Sequence, residues 1–150
     1  MAPLIVLLSA FLIASLIFKI QTKEYHFSKS ARIAMAIMLC FTAIAHFAFT
    51  KGMAMMIPSF LPFKITIVWL TGFLEILLGV GLLIPKYRKA SGLVLILFLI
   101  LMLPANIYAA VHNVNYQEAT FDGHGLAYLW FRIPLQILFI LWVYLSAVKK

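Results

Sequence analysis

The chain has 150 residues, 65% of them apolar and only 11% charged, whereas soluble domains carry about 25% charged residues. That composition excludes a soluble globular protein, and the length accommodates one helical bundle, so residues 1–150 read as a single transmembrane domain. The formal charge of +8 does not indicate nucleic-acid binding, because the basic residues cluster between apolar runs, where membrane topology signals belong.

Five apolar runs follow in order, at 3–18, 33–49, 65–84, 90–111 and 126–148. Charge clusters and Gly or Pro separate them, as they separate helices. No strand alternation, low-complexity tract or internal repeat is visible. The expected fold is an all-α integral membrane protein with five spans.

The first run has no basic residue before it, since Met1, Ala2 and Pro3 precede the apolar stretch. Its positive charges follow it, which favours a retained anchor over a cleaved signal peptide. Lys19, Lys23, Lys29 and Arg32, then Lys86, Arg88 and Lys89, then Lys149 and Lys150 all fall on one side of a five-span protein. Only Lys51 and Lys64 mark the other side, and residues 112–125 carry no Lys or Arg. The imbalance predicts an outside N-terminus and a cytoplasmic C-terminus, in a bacterial inner membrane.

The third run holds Glu75 near its middle, about eleven residues from the flanking Lys64 and Pro85. A charged group at bilayer depth costs roughly 2.5–3.5 kcal/mol on insertion scales, so it is normally paired, protonated or functional. The expected partner is Arg132, the basic residue well inside another apolar run. His46 in the second run, Asn106 and His112 at the outer end of the fourth, and Arg132 all lie toward the outer side. That asymmetry predicts a polar pocket opening outward.

Spacing supports inward-facing polar stripes. Thr42 and His46 are four apart, as are Thr71, Glu75 and Gly79. Tyr128, Arg132, Gln136 and Tyr144 fall on one stripe of the fifth run. Positions four apart are helix neighbours, and in lipid such faces turn into the bundle. Pro104 and Pro134, two residues from Asn106 and Arg132, each free a backbone carbonyl and allow a kink.

Each residue also has a plainer reading. Glu75 with Arg132 can be a buried pair that only fixes helix register. His46 can be a hydrogen-bonded core histidine, and Asn106 interhelical glue.

The chain from about residue 31 to 148 resembles the DoxX-like membrane proteins. The stretches that carry the resemblance are AHFAF at 45–49, IPSFLP at 57–62, GFLEILLGVGLLIPKYRKASG at 72–92, LPANIYAAVH at 103–112 and FRIPLQILFILWVY at 131–144. The resemblance implies a four-helix transmembrane bundle as the core, in residues 31–148, with residues 1–30 as an added N-terminal span and basic loop. It also implies a function as a small subunit beside membrane thiosulfate:quinone oxidoreductases or sulfur-transfer and oxidative-stress partners. It supplies no catalytic residues, and fold alone does not supply a function.

Several chemistries fail on residue counts or spacing. Thiol–quinone redox needs a cysteine pair, and Cys40 is the single cysteine, best read as apolar filler. Haem would want facing axial histidines, which His46 and His112 do not provide. Met53, Met55 and Met56 near His46 suit Cu(I), but they also suit an apolar interfacial segment over residues 53–63. His112 and His124 lack zinc-ligand spacing. No metal or haem is expected, and quinone is the candidate cofactor.

Three function classes stay open. One is a quinone- or lipid-binding subunit of a redox complex. There Arg132, His46, Asn106, His112 and Gln136 would bond a carbonyl or headgroup, framed by Trp69, Tyr108, Tyr128 and Trp130 at the depth aromatic residues prefer. The second is an intramembrane enzyme such as an isomerase, with Glu75 as acid/base and His46 as its catalytic partner. The third is a structural or chaperone-like subunit. The expected surroundings are the lipid bilayer, with redox partner subunits or further copies of the chain as candidate neighbours and no nucleic acid.

Overall fold

The computed structural model describes residues 1–149; Lys150, which the charge reading counted, lies outside them. The described chain is helical apart from its connections, and its one bridge joins two loop residues, Asn115 and Thr120. Its helices are α1 (Ala2–Thr22), α2 (Phe27–Ala48), the short α3 (Thr50–Met55), α4 (Lys64–Leu83), α5 (Arg88–Val111) and α6 (Ala127–Val143). A π-helical turn, Tyr144–Val148, extends α6. Five of these, counting α6 with its π turn, are long and apolar enough to cross a membrane. Their outward faces carry large apolar side chains such as Leu12, Leu77 and Leu97, which is the surface a bilayer solvates.

The expected spans hold, with shifts at the ends. Thr22 closes α1 by donating to the Phe18 carbonyl, and Lys23 takes the left-handed conformation that stops the helix. α2 begins at Phe27, six residues before the predicted start at Ile33. The connection between α1 and α2 therefore spans only residues 23–26, and Lys19, Lys29 and Arg32 sit on helix ends rather than in a loop. Long basic side chains at helix ends keep their charges in water while their stems cover apolar surface. Pro104 and Pro134 stay within continuous helices.

Helices α2, α4, α5 and α6 form a ring in that order, and α1 packs mainly on α2. Contacts between α2 and the π turn complete the ring. Arg32 Nη1 donates to the Ser146 carbonyl at 2.9 Å and Trp142 Nε1 to the Ala31 carbonyl at 3.0 Å. In this order α4 and α6 are diagonal.

The two ends of the bundle differ. The basic end has short turns at 23–26 and 84–87 and the buried apolar side chains Met35, Leu82, Leu95 and Val143. The opposite end, called here the loop end, carries α3, segment 56–63 and loop 112–126. Those connections pack on each other. The Gly52 backbone lies directly against the Tyr116 carbonyl, where no side chain fits, and the Phe49 and Tyr116 rings meet edge to face.

Candidate functional site

In the loop-end half, polar side chains gather in two separate places. The deeper one lies between α2 and α4. Glu75 is 8% exposed and sits eleven residues into α4, ~16 Å along the helix axis. Its Oε2 accepts from the Thr42 hydroxyl at 2.9 Å, and its Oε1 lies 3.6 Å from His46 Nε2. At that length the His46 contact is electrostatic rather than a hydrogen bond.

The imidazole is fixed from its other side. His46 Nδ1 lies 3.1 Å from the Val68 carbonyl oxygen and 3.1 Å from the Thr71 hydroxyl. A carbonyl oxygen only accepts, so Nδ1 carries a proton and Nε2 is left to face the carboxyl group. Thr71 in turn reaches the Ile67 and Val68 carbonyls, and Thr42 the Leu39 carbonyl. Gly72 permits the close approach, because a Cβ there would meet His46 Cβ at 2.9 Å.

The expected Glu75–Arg132 pair does not form. Glu75 is paired with His46 instead, because α4 packs beside α2 while α6 sits across the diagonal. Arg132 is half-buried, and its Nε is enclosed without a hydrogen-bond partner.

The second place is a cavity of about 250 Å³ beneath loop 112–126. Tyr116, Tyr128, Asn115, Asp122 and His124 give it a polar lining, and Met56, Ala109, Ala110 and Val114 an apolar one. The loop over it is well tied. Asn115 and Thr120 exchange backbone hydrogen bonds, Gly123 N donates to the Asn113 carbonyl at 2.7 Å, and Gly125 adopts φ 64°. Asn115 Oδ1 accepts from the Gln117 and Glu118 amides, an Asx-type turn.

Two groups here depart from their ordinary acidities. Burial and the neighbouring Tyr128 phenol push the Tyr116 phenol up, and the Arg132 charge offsets part of that. The Thr120 hydroxyl holds the Asp122 carboxyl below the usual carboxylate range, with help from Asn115.

An open apolar groove of about 450 Å³ lies on the other face of α5. Pro58 and Phe60 form one wall, and Pro104, Ile107, Tyr108 and His112 the other. His112 is exposed, stacks on the Tyr108 ring at 4.0 Å, and approaches the Tyr108 carbonyl through Nδ1 at 2.9 Å.

The other predicted residues are dispersed. Asn106 is buried and donates to the Met102 carbonyl one turn back, away from Glu75. Gln136 is buried, donates to the Leu99 carbonyl, and leaves its Oε1 without a partner. Trp69 donates to Thr50 at the helix surface. Trp130 is 86% exposed on the outside of the bundle and frames neither cavity. The structure thus unites Glu75 with His46, places Tyr128 in the cavity beneath the loop and puts Tyr108 with His112 in the groove. Tyr116 and the Val68 carbonyl were missed. The turn-rich run from Asn113 to Gly125 was the available signal for a built loop.

Among the described residues no group of three or more His, Cys, Asp and Glu side chains comes together as a metal site would require. No curated protein and no solved structure matches the chain. Residues 35–147 match one family, starting inside α2 and leaving α1 outside the match. The chain belongs to that family, described as a domain of unknown function (DUF8561).

Proposed function

We propose that this is a small membrane protein that holds an amphiphile of the quinone or lipid class at its loop end. The carrying observation is the pair of spaces on opposite faces of the outer end of α5. One is a partly open, partly polar cavity suited to a headgroup or ring, and the other a more open apolar groove. Ligand sites commonly combine apolar walls with a few convergent polar groups, and the Tyr116 and Tyr128 hydroxyls provide them here. In this reading the loop end faces outward and the basic end the cytoplasm of a bacterial inner membrane, following the Lys and Arg imbalance. A place beside a membrane oxidoreductase rests on the DoxX-like resemblance alone.

The test is extraction of the small molecules that co-purify with the protein, identified by mass spectrometry. A stoichiometric quinone, isoprenoid or single lipid species supports the reading. Recovery of bulk phospholipid only, in the proportions of the host membrane, contradicts it.

A second reading takes Glu75 and His46 as an acid/base couple. The observation favouring it is their contact within the apolar bundle. Their distance from both cavities speaks against it, since none of Thr42, His46, Thr71 or Glu75 lines either space. We infer instead that the pair locks α2 against α4.

A further inference from the structure

The cavity beneath loop 112–126 has one carboxylate in its lining, Asp122, and no lysine or arginine. Thr120 and Asn115 both donate to the same oxygen of that carboxylate, Oδ1. Their bonds hold the group below the usual carboxylate range, so it is an anion at neutral pH. Two helix ends also meet the space, with Ala109 and Ala110 in the last turn of α5 and Tyr128 in the first turn of α6. A helix C-terminus is negative and an N-terminus positive, so the two dipoles offset and the carboxylate sets the sign of the field.

Two tyrosines line the same space. Tyr116 is fixed by its carbonyl against the Gly52 backbone and by its ring, which meets Phe49 edge to face at 5.9 Å. Tyr128 is held at the start of α6, where its amide donates to the Gly125 carbonyl at 3.1 Å. Aromatic faces attract cations, and aromatic side chains around an ammonium are a recurrent way to bind it. A phosphate headgroup would meet Asp122 as a like charge, and a quinone carbonyl would meet it acceptor to acceptor. Arg132 lies outside the lining, although its charge reaches the Tyr116 phenol, so the side between Asp122 and Tyr128 is the one suited to a cation.

We propose that the cavity takes an organic ammonium group, held between the Asp122 carboxylate and the Tyr116 and Tyr128 rings. Its volume of about 250 Å³ fits a headgroup and not a whole lipid. The inference rests on the reading of the loop end as an amphiphile site, and narrows the quinone or lipid class to a lipid with an amine headgroup. A free amine carries the same cation, and the test separates the two sources.

The full-length protein, delipidated in neutral detergent, is titrated with short-chain phosphatidylethanolamine, short-chain phosphatidylglycerol and free ethanolamine, and binding is followed by native mass spectrometry. One equivalent of phosphatidylethanolamine should bind about tenfold tighter than phosphatidylglycerol. D122N should bring that ratio close to one. The ratio isolates the charge, because a loosened loop weakens both lipids alike. Y128F keeps the ring face and should bind phosphatidylethanolamine within about twofold of wild type, whereas Y128L should lose about fivefold or more. Equal binding of the two lipids, an unchanged ratio in D122N, or a loss in Y128F as large as that in Y128L overturns the ammonium assignment and leaves the amphiphile reading standing. Ethanolamine binding as tightly as the lipid supports the ammonium and sinks the amphiphile. Failure of all three ligands to bind sinks both.

Discussion

Glu75 Oε1 lies 3.6 Å from His46 Nε2 across the α2–α4 interface, and Thr42 holds the other carboxylate oxygen at 2.9 Å. Neighbouring helices in the ring, not the diagonal pair α4 and α6, supply the partner of the buried acid. The two residues should therefore be energetically coupled. In thermal unfolding in detergent, E75Q and H46Q should show a coupling of about 1–3 kcal/mol, as contacting groups do. E75Q and R132Q should be additive within about 0.5 kcal/mol, as uncoupled sites are. The reverse pattern would restore the Glu75–Arg132 pair.

Gly72 sets how closely α4 approaches His46. G72A forces a Cβ to within 2.9 Å of His46 Cβ. It should destabilise by about 1–3 kcal/mol, as overpacking does. At Gly79 the nearest atom to an added Cβ is the Ala36 carbonyl oxygen at 3.4 Å, an ordinary contact. G79A should be neutral or mildly stabilising, since glycine is a poor helix former. Melting midpoints of the two variants check this, and equal losses would contradict it.

Loop 112–126 should loosen in acid. The Asp122 carboxyl is held below its ordinary range by the Thr120 hydroxyl, then by Asn115. A depressed folded-state value means that its support is present above the unfolded value, ~3.9, and is lost as pH falls through the lower folded value. Hydrogen exchange at the Asn115 and Thr120 amides should rise in that acid window for wild type, after correction for intrinsic exchange. D122N should exchange faster near neutral pH and lose the acid step. An unchanged profile in D122N would show that the side chain does not hold the loop.

The spans, their order and the polar loop-end half were legible from apolar run length and from the depth of a few polar residues. Helix partners were not. His46 and Arg132 were both candidates within reach of Glu75, and run order alone does not say which helices are neighbours in a ring. The Thr42–His46 and Thr71–Glu75 spacings carried the better hint, because two polar stripes satisfy each other when their helices pack. Trp130 shows the limit of an interface argument. Aromatic residues at that depth face lipid as readily as a ligand, and here the indole faces out. The cavity was illegible because its roof is loop 112–126, which is shaped by backbone bonds such as those between Asn115 and Thr120.

The central claim is that the space beneath the loop holds an amphiphile. Native mass spectrometry of the protein released from its membrane tests it most directly, comparing wild type with A110L, which adds volume to the cavity wall. The account predicts a one-to-one amphiphile adduct on wild type and its loss in A110L, compared at a temperature where both proteins are folded. An adduct retained equally by both proteins, or absent from wild type, would contradict it.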